Sequence, residues 1–481
     1  MIANQQAPHV VVVGGGIAGL TAAYTLQEQA RGTGQPVRIT LLEGDVRTGG
    51  KIVTETVDGF VIEGGPDSLL AQKPWAAELC RRLGLEDELI GTNDERRNVY
   101  VLSDGQLHTL PEGMALIAPT RLGPFLRSPL FSWRGKLRML LDLLLPRRKA
   151  RGDESVAAFV RRRLGQEAVD KLAEPLLAGI HAGDPERQSL IATFPRFVEM
   201  ERKHRSLILG SRAARRTAQQ IAPRTGPTST FLSLRGGISR LTEALEAALT
   251  DVAIRTGVRV ISLRHLGGHF SIGTAAGDTY EADAVILATP AYVSSGLLKG
   301  IACAPAAMLD EIRYLSTATV SLGFRRAEIT HPLDGFGFVI PRSEGRAIFG
   351  CTWSSTKFDH RAPDDAVLIR CFVGGTGQEE LVELDDTAMV RLARAELRDL
   401  LGIDAEPVVS RVFRWRRSNP QYDVGHLERV REIMALLRLQ PGVYLTGSAY
   451  EGVGVPDCVR HAQETARAAL AGLPARAVAQ R

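Results

Sequence analysis

Apolar residues form two successive patterns near the start of the chain. Residues 10–13 are a continuous apolar run, which is typical of a parallel strand buried on both faces. The run stops at Gly14, and apolar residues then recur at helical spacing, at Ile17, Leu20, Ala23 and Tyr24. This segment is therefore predicted to be a strand, a glycine turn and a helix.

The same patterns divide the rest of the chain. A helical and basic stretch covers residues 112–225. Residues 257–290 alternate like a small antiparallel meander that returns to a buried strand, and residues 310–430 are rich in strand patterns. A last strand pattern at residues 442–446 precedes a glycine-rich loop and a helix that continues to Leu470. The order indicates an α/β protein whose domains are interleaved in sequence.

Composition excludes several classes of protein. Lys and Arg total 59 against 54 Asp and Glu, a mild excess that does not indicate a nucleic-acid partner. The five cysteines include no C-x-x-C pair, which argues against a disulfide framework or a zinc site and favours a reducing compartment. No secretory signal is visible, and the apolar residues 137–146 are too few to cross a bilayer. We therefore expect a cytoplasmic protein.

Basic residues concentrate in one segment, residues 121–151. Nine of them stand there against the single acid Asp142: Arg121, Arg127, Arg134, Lys136, Arg138, Arg147, Arg148, Lys149 and Arg151. They flank the apolar residues Phe125, Leu130, Phe131 and Trp133. The segment predicts either a face that binds an anionic membrane surface peripherally or a solvated helical face over a substrate cleft.

The first glycine turn has the spacing of a dinucleotide-binding motif. Gly14, Gly16 and Gly19 follow the pattern G-x-G-x-x-G, which permits a tight turn, backbone approach to a pyrophosphate and close contact between helix and strand. The next strand pattern ends at Glu43, where a carboxylate can bind a ribose hydroxyl. These residues predict a dinucleotide site but do not separate NAD from FAD.

A second glycine-rich helix start favours FAD. Gly447, Gly452 and Gly454 follow the last strand pattern, and Pro456 suits the first position of the helix. A flavin needs such a helix N-terminus, because reduced flavin is anionic at its N1–C2=O edge, whereas an NAD enzyme has no evident use for it. The alternative is a plain strand, loop and helix that close the sheet.

We predict an α/β fold in which a Rossmann-type FAD-binding domain is interleaved with a sheet-rich substrate domain and a helical domain. The FAD-binding domain takes residues 1–75, 226–295 and 431–481. The substrate domain takes residues 76–111 and 296–430, and the helical, basic domain takes residues 112–225.

Six sequence blocks resemble a known family in this order: VVVGGGIAGL, LLEGDVRTGGKI, FVIEGGPDSLLAQKP, TFPRFVEMERKHRSLILG, FRWRRSNPQYDVGH and GSAYEGVGVPDC. The family is that of the FAD-dependent protoporphyrinogen and coproporphyrinogen oxidases of haem biosynthesis, within the amine-oxidase-like flavoproteins. The blocks KHRSLILG and GVGVPDC are the more specific ones, and they argue against an amine or carotenoid oxidoreductase.

The resemblance implies a set of FAD-binding residues. Residues 14–19 and Glu43 are similar to the pyrophosphate and ribose binders, the backbone of Val260 would meet the adenine, and residues 453–455 would cover the flavin edge. Trp415 is similar to an aromatic residue beside the flavin, although a Trp in an apolar strand is more often core. The implied set is Gly14, Gly15, Gly16, Ile17, Ala18, Gly19, Glu43, Gly44, Lys51, Gly65, Pro66, Asp67, Ser68, Val260, Trp415, Val453, Gly454 and Val455.

Two cations are implied as substrate ligands. Lys73 matches a basic position typical of the coproporphyrinogen branch, and Arg97 is similar to an arginine that binds a propionate in the family. Taken alone, each would more often be a solvated surface cation.

The resemblance implies oxygen-dependent oxidation of coproporphyrinogen III to coproporphyrin III, by three rounds of flavin reduction and reoxidation that release hydrogen peroxide. The alternatives are a protoporphyrinogen IX oxidase and a non-catalytic flavin-holding protein. The implied partners are the porphyrinogen, molecular oxygen and a downstream haem-pathway enzyme. No metal site and no catalytic side chain stand out in the sequence, since the flavin would carry the chemistry.

Overall fold

The structure, a computed structural model, describes residues 7–150, 152–221 and 229–473. Arg151 and the domain boundary predicted between residues 225 and 226 lie outside the described residues.

Strands dominate the first part of the chain. The elements are β1 (His9–Val13), α1 (Ile17–Thr33), β2 (Arg38–Leu42), β3 (Thr54–Val57), β4 (Phe60–Glu63), β5 (Leu69–Leu70), α2 (Trp75–Arg82), β6 (Leu89–Gly91), β7 (Asn98–Ser103), β8 (Gln106–Thr109), β9 (Met114–Ala115) and β10 (Ala118–Pro119). Helices fill the middle, with α3 (Leu122–Arg127), α4 (Trp133–Leu140), α5 (Val156–Leu164), α6 (Gln166–Ala168), α7 (Glu174–His181), α8 (Leu190–Thr193), α9 (Pro195–His204) and α10 (Leu207–Ile221).

Strands and helices alternate in the last part. The elements are β11 (Phe231–Leu234), α11 (Ser239–Ala248), β12 (Val252–Arg255), β13 (Val260–Leu266), β14 (His269–Thr274), β15 (Thr279–Ala282), β16 (Ala284–Leu287), α12 (Ala291–Leu298), α13 (Cys303–Asp310), β17 (Tyr314–Arg325), β18 (Gly335–Val339), β19 (Ile348–Trp353), α14 (Ser354–Lys357), β20 (Ala366–Gly374), α15 (Asp386–Leu401), β21 (Val409–Pro420), α16 (His426–Leu437), β22 (Val443–Leu445) and α17 (Val455–Ala471).

A parallel five-stranded sheet has the order β12-β2-β1-β16-β22. Val10 and Val12 pack on one face with α1, α11 and α17. Val11 and Val13 pack on the other face with the antiparallel meander of β13, β14 and β15 and with helices α12, α13 and α16. Both faces are covered, which explains the continuous apolar run in β1. The predicted α/β fold class is confirmed.

A second, seven-stranded sheet has the order β21-β17-β20-β19-β18-β7-β8 and is antiparallel except where β18 meets β7. Strands β7 and β8 come from before the helical stretch, and the other five come from the predicted strand-rich residues. Helix α15, which the strand patterns did not predict, packs on this sheet through Met389, Ala393 and Leu397. The exact domain boundaries stay a prediction.

The helical stretch has its own apolar core. Phe125, Leu130 and Phe131 are at most 3% exposed and belong to that core. The prediction that they lie on the cationic surface is therefore wrong, because these side chains turn inward against α5 and its neighbours. Trp133 is 66% exposed, as predicted for that face. In the described part of the chain, no helix combines the length and apolarity needed to span a bilayer.

Asp142, the single acid of the basic segment, is the buried partner of Arg163. Neither side chain has any exposed surface. Arg163 Nε donates to Asp142 Oδ1 over 2.6 Å, while Ser206 Oγ and the backbone N–H of Ile208 donate to Oδ2 over 2.5 and 3.0 Å. Both carboxylate oxygens are thus satisfied, and the pair joins the chain after α4 to α5 and to the start of α10.

Replacement of Asp142 by Asn should lower the thermal unfolding midpoint strongly. The change leaves a buried guanidinium short of its counter-charge, at a cost of about 3–5 kcal/mol. Glu201 lies 3.6 Å from Arg163 but also pairs with Arg162, so it compensates only in part. The matched control is Glu199→Gln, because Glu199 and its partner Lys203 are each 62% exposed. Equal midpoints for the two variants would contradict the prediction.

Candidate cofactor-binding site

The turn between β1 and α1 leaves space for a ligand at the N-terminus of α1. Gly14 has a φ of +105°, and a Cβ there would lie 2.8 Å from the carbonyl oxygen of Ala288. A Cβ on Gly19 would lie 1.8 Å from the carbonyl oxygen of Gly14. At Gly16, the N-cap of α1, a Cβ would meet only the Cα of Gly50, at 3.9 Å. Packing thus requires two of the glycines, whereas Gly16 keeps the helix start open, which fits a pyrophosphate.

Glu43 is fixed at this turn by backbone groups. Its Oε2 accepts a hydrogen bond from the N–H of Gly15 over 2.5 Å, and its Oε1 accepts one from the N–H of Asp45 over 2.7 Å. Carboxylate oxygens have further lone pairs, so the group can still accept from ribose hydroxyls.

The connection between β12 and β13 runs beside Glu43. The N–H of Val258 donates to the carbonyl oxygen of Glu43 over 2.8 Å, and a Cβ on Gly44 would lie 3.6 Å from the Cα of Arg259. Val260 begins β13 and is buried. The fold thus brings Glu43, Gly44 and Val260 to the same end of the parallel sheet.

Lys51 and Gly65 are in backbone contact. A Cβ on Gly65 would lie 1.8 Å from the carbonyl oxygen of Lys51, so only glycine fits. The Lys51 ammonium donates to the carbonyl oxygen of Ser418 in β21. Burial lowers the pKa of Lys51. Two predicted cofactor residues therefore lie side by side between the two sheets.

Trp415 is not a plain core residue. It is half-buried in β21, and its Nε1–H donates to the carbonyl oxygen of Gly64 over 2.8 Å. Arg370 donates to the same oxygen over 3.1 Å and to the carbonyl oxygen of Gly65 over 2.6 Å. The seven-stranded sheet thus holds the loop that the sequence placed near the flavin.

Asp67, two residues further along this loop, carries a partly buried ion pair that the sequence did not predict. Its Oδ2 lies 2.8 Å from Lys357 Nζ, and Ser68 Oγ donates to its Oδ1 over 2.7 Å. Burial alone would raise the pKa of Asp67, but the positive charges of Lys357 and Arg370 hold it well below its usual range. Lys357 ends α14, about 290 residues away in sequence, so no local pattern could have found it.

The loop before α17 is hydrogen-bonded to the segment that follows β21. Gly454 is the N-cap of α17, and Pro456 is its second residue, one position later than predicted. Tyr422 is buried; its hydroxyl accepts from the N–H of Gly452 over 2.8 Å and donates to the carbonyl oxygen of Ser448 over 2.7 Å. The loop that contains Val453 is thus fixed at both ends.

Lys73 lies at this helix start and is paired there. Its Nζ is 2.8 and 2.6 Å from the two carboxylate oxygens of Asp457, the third residue of α17. The side chain of Asp457 is 9% exposed and that of Lys73 is 39% exposed. The sequence resemblance implies Lys73 as a substrate ligand but gives no sign of this partner. A substrate role for Lys73 stays a prediction.

Arg97, the other predicted substrate ligand, lies elsewhere. It follows a 3-10 turn at residues 94–96, directly before β7 of the seven-stranded sheet, and its side chain is exposed. The N–H of Asn93, which opens that turn, donates to the carbonyl oxygen of Lys357 over 2.9 Å. The backbone four residues before Arg97 thus contacts Lys357, whose side chain pairs with Asp67.

His181, which no sequence motif singled out, ends α7 close to Lys73. Its Nδ1 is buried and has no hydrogen-bond partner among the residues that the structure describes. Its backbone carbonyl accepts from Gln421, next to the tyrosine that holds the α17 loop. Burial, together with the positive charge of Lys73, lowers the pKa of His181 to about 4. This imidazole is therefore neutral near pH 7.

Comparison with known proteins covers nearly the whole chain. Residues 17–470 match the model of the flavin containing amine oxidoreductase family. The coproporphyrinogen III oxidase of Bacillus subtilis is 40% identical over 455 residues, which are 94% of this chain and 95% of that protein. The protoporphyrinogen oxidase of Bos taurus is 32% identical over 97% of this chain and 99% of that protein. A crystal structure from Exiguobacterium sp. 255-15, assigned as a protoporphyrinogen oxidase, has a TM-score of 0.86 at 35% identity, with 96% of this chain and 98% of that chain covered.

The parallel sheet, its open glycine turn and the second glycine-rich helix start define a dinucleotide-binding flavoprotein. The chain belongs to the flavin containing amine oxidoreductase family, and the resemblance to porphyrinogen oxidases is confirmed. The chain is an FAD-dependent oxidoreductase.

Replacement of Gly16 by Leu should abolish FAD binding while the chain still folds. The new side chain has room within the protein but fills the space above the start of α1. The measurement is the flavin-to-protein ratio of the purified variant after incubation with FAD, together with its circular dichroism spectrum. Gly32→Leu is the control, because Gly32 lies in the same helix with no atom within 4 Å of its Cβ position. A full FAD content in Gly16→Leu would show that the pyrophosphate binds elsewhere.

Proposed function

We propose that this chain oxidises coproporphyrinogen III to coproporphyrin III in haem biosynthesis, with molecular oxygen as the electron acceptor. The observation that carries the proposal is the identity of 40% over nearly the full length to a coproporphyrinogen III oxidase, against 32% to a protoporphyrinogen oxidase. Protoporphyrinogen IX oxidation is the second candidate, because the Bos taurus relative also covers nearly the whole chain.

In this proposal the chain supplies binding and orientation. Gly14 to Gly19, Glu43, Gly44 and Val260 hold the nucleotide half of FAD, and Lys51, Gly65 to Ser68, Trp415 and Val453 to Val455 lie around its ring system. When bound, the flavin supplies the two-electron oxidation, and its electrons pass to oxygen. Among the described residues, no group of His, Cys, Asp and Glu side chains is arranged to hold a metal ion.

Charge favours the substrate with more carboxylates. Coproporphyrinogen carries four propionates and protoporphyrinogen two, so a site with more cations should prefer the former. Lys73 lies at the start of α17 and Arg97 lies directly before β7, so the two proposed propionate ligands belong to different parts of the fold. Lys73 remains 39% exposed despite its pairing with Asp457, so its ammonium can also donate to a second carboxylate.

The test is the initial rate of oxygen uptake by the FAD-loaded protein with each porphyrinogen. We expect the larger kcat/KM with coproporphyrinogen III. A larger value with protoporphyrinogen IX would support the second candidate instead. No uptake with either substrate would leave a non-catalytic flavin-holding protein.

The same assay, applied to variants, tests whether Lys73 and Arg97 bind the substrate. Arg97→Ala should lower kcat/KM for both substrates about tenfold or more, since a hydrogen bond to a charged group contributes about 1.5–3 kcal/mol. Lys73→Ala should lower it more for coproporphyrinogen than for protoporphyrinogen. Arg325→Ala, at an exposed end of β17, is the charge-matched control and should leave both values unchanged. Equal losses for Lys73→Ala on the two substrates would contradict a specificity role.

A second part of the proposal concerns the cationic segment. Four apolar side chains recur on one exposed face of α4 and the turn after it: Trp133 (66% exposed), Leu137 (63%), Leu141 (45%) and Leu144 (74%). The exposed cations Arg127, Arg134, Arg147 and Lys149 belong to the same segment. Lys136 and Arg138 instead donate to backbone carbonyls and serve the fold. We propose that this face binds an anionic membrane surface.

Sedimentation with vesicles tests this face. The protein should bind phosphatidylglycerol vesicles at low salt and release them at high salt, since each well-placed cation contributes about 1 kcal/mol. Leu137→Ser should weaken binding, whereas Leu439→Ser, at a side chain 73% exposed outside the segment, should not. Failure of the wild type to bind at low salt would refute the membrane proposal and leave the face to a protein partner such as a downstream haem-pathway enzyme.

A further inference from the structure

The ion pair between Lys73 and Asp457 lies at the start of α17, next to the loop that is proposed to contact the flavin. Asp457 is the third residue of α17, and its carboxylate packs against the preceding glycine loop. A Cβ on Gly452 would lie 2.5 Å from Asp457 Cγ, and a Cβ on Gly454 would lie 3.2 Å from Asp457 Oδ2. Gly454 belongs to the loop that the proposed function places against the flavin edge. The carboxylate therefore lies directly behind that loop.

An uncompensated carboxylate here would oppose flavin reduction. The N-terminus of a long helix carries about half a positive charge, which favours the negative charge that a flavin gains on reduction. A nearby carboxylate cancels that effect, and with 9% of its side chain exposed Asp457 is poorly screened by water. Lys73 contacts both of its carboxylate oxygens, so the pair presents little net charge.

Other groups close to the pair do not neutralise the charge of Asp457 in place of Lys73. Burial raises the pKa of the Cys458 thiol to about 12 and lowers that of His181 to about 4, so both groups are neutral near pH 7. Glu451 and Arg460 form a separate pair with each other. Lys51 donates its hydrogen bond to the carbonyl oxygen of Ser418 and not to Asp457.

We propose that Lys73 acts on the flavin as well as on the substrate: by neutralising Asp457, it keeps the positive end of α17 effective and thereby raises the reduction potential of the bound flavin. Lys73 and Asp457 are then tuning residues that act through the helix terminus. The inference rests on the proposed function, because it assumes that the flavin ring lies at the start of α17.

A double-mutant cycle tests the inference without any substrate. The two-electron reduction potential of the FAD-loaded protein is measured by equilibration with reference dyes. Lys73→Met should weaken the binding of reduced relative to oxidised flavin about tenfold, which lowers the potential by about 30 mV. Asp457→Asn should raise the potential, and the double variant should return close to the wild-type value.

Two further variants separate charge from packing. Lys73→Arg keeps a cation that can bind both carboxylate oxygens, so it should keep the wild-type potential. Lys171→Met removes a lysine from another partly buried ion pair, with Glu167 in the helical region, and should not shift the potential. A potential unchanged in Lys73→Met, or lowered equally in Lys73→Met and the double variant, would overturn the inference.

The second mutation, Asp457→Asn, separates the effect of Lys73 on the flavin from its proposed binding of substrate. If Lys73 also binds a propionate, KM for coproporphyrinogen should stay raised in the double variant, although the potential recovers. Failure of the wild type to bind FAD or to oxidise a porphyrinogen would count against the proposed function. An unshifted potential in FAD-loaded Lys73→Met would count against the tuning role alone.

Discussion

One short backbone segment, residues 64–65, links the seven-stranded sheet to Lys51 in the loop beside the glycine turn, and the proposed cofactor site depends on that contact. The carbonyl oxygen of Gly64 accepts hydrogen bonds from Trp415 Nε1 over 2.8 Å and from Thr319 Oγ1 over 3.1 Å, both in the seven-stranded sheet. A Cβ on Gly64 would lie 2.7 Å from the ring of Phe413, so no larger residue fits. The segment therefore fixes the position of the second sheet relative to the glycine turn of the first.

The buried charged side chains Glu63 and Arg370, close to this segment, are ion-paired or hydrogen-bonded. Burial raises the pKa of Glu63, whose carboxylate accepts from Thr54 and from the N–H of Ile238 and lies 3.9 Å from Arg361. Burial lowers the pKa of Arg370, whose guanidinium donates hydrogen bonds to backbone carbonyl oxygens. Each charge has a partner or a carbonyl, so the space between the sheets is polar without isolated ions. Removal of one of these groups would leave another unpaired, at a cost in stability.

The basic segment shows why a count of charges does not define a surface. Asp142 looks like a minor feature among nine cations, yet it is the fully buried partner of Arg163. Lys136 is buried under Trp133, with its ammonium 4.6 Å from the centre of the indole ring. Only part of the segment is thus available to an external partner, and the apolar residues beside it divide in the same way between core and surface.

Sequence alone determined the elements whose conformation is set by neighbouring residues. The strand, glycine turn and helix at Gly14 to Gly19, the acid Glu43 at a strand end and the final glycine loop before α17 all follow from apolar spacing and from the backbone freedom of glycine. Tertiary structure decided which distant groups meet: Lys73 with Asp457, Asp67 with Lys357, and Phe125 with the helical core. These partners are tens to hundreds of residues apart, and their pairing depends on how the sheets and helices pack, for which no local pattern of residues carries a signal.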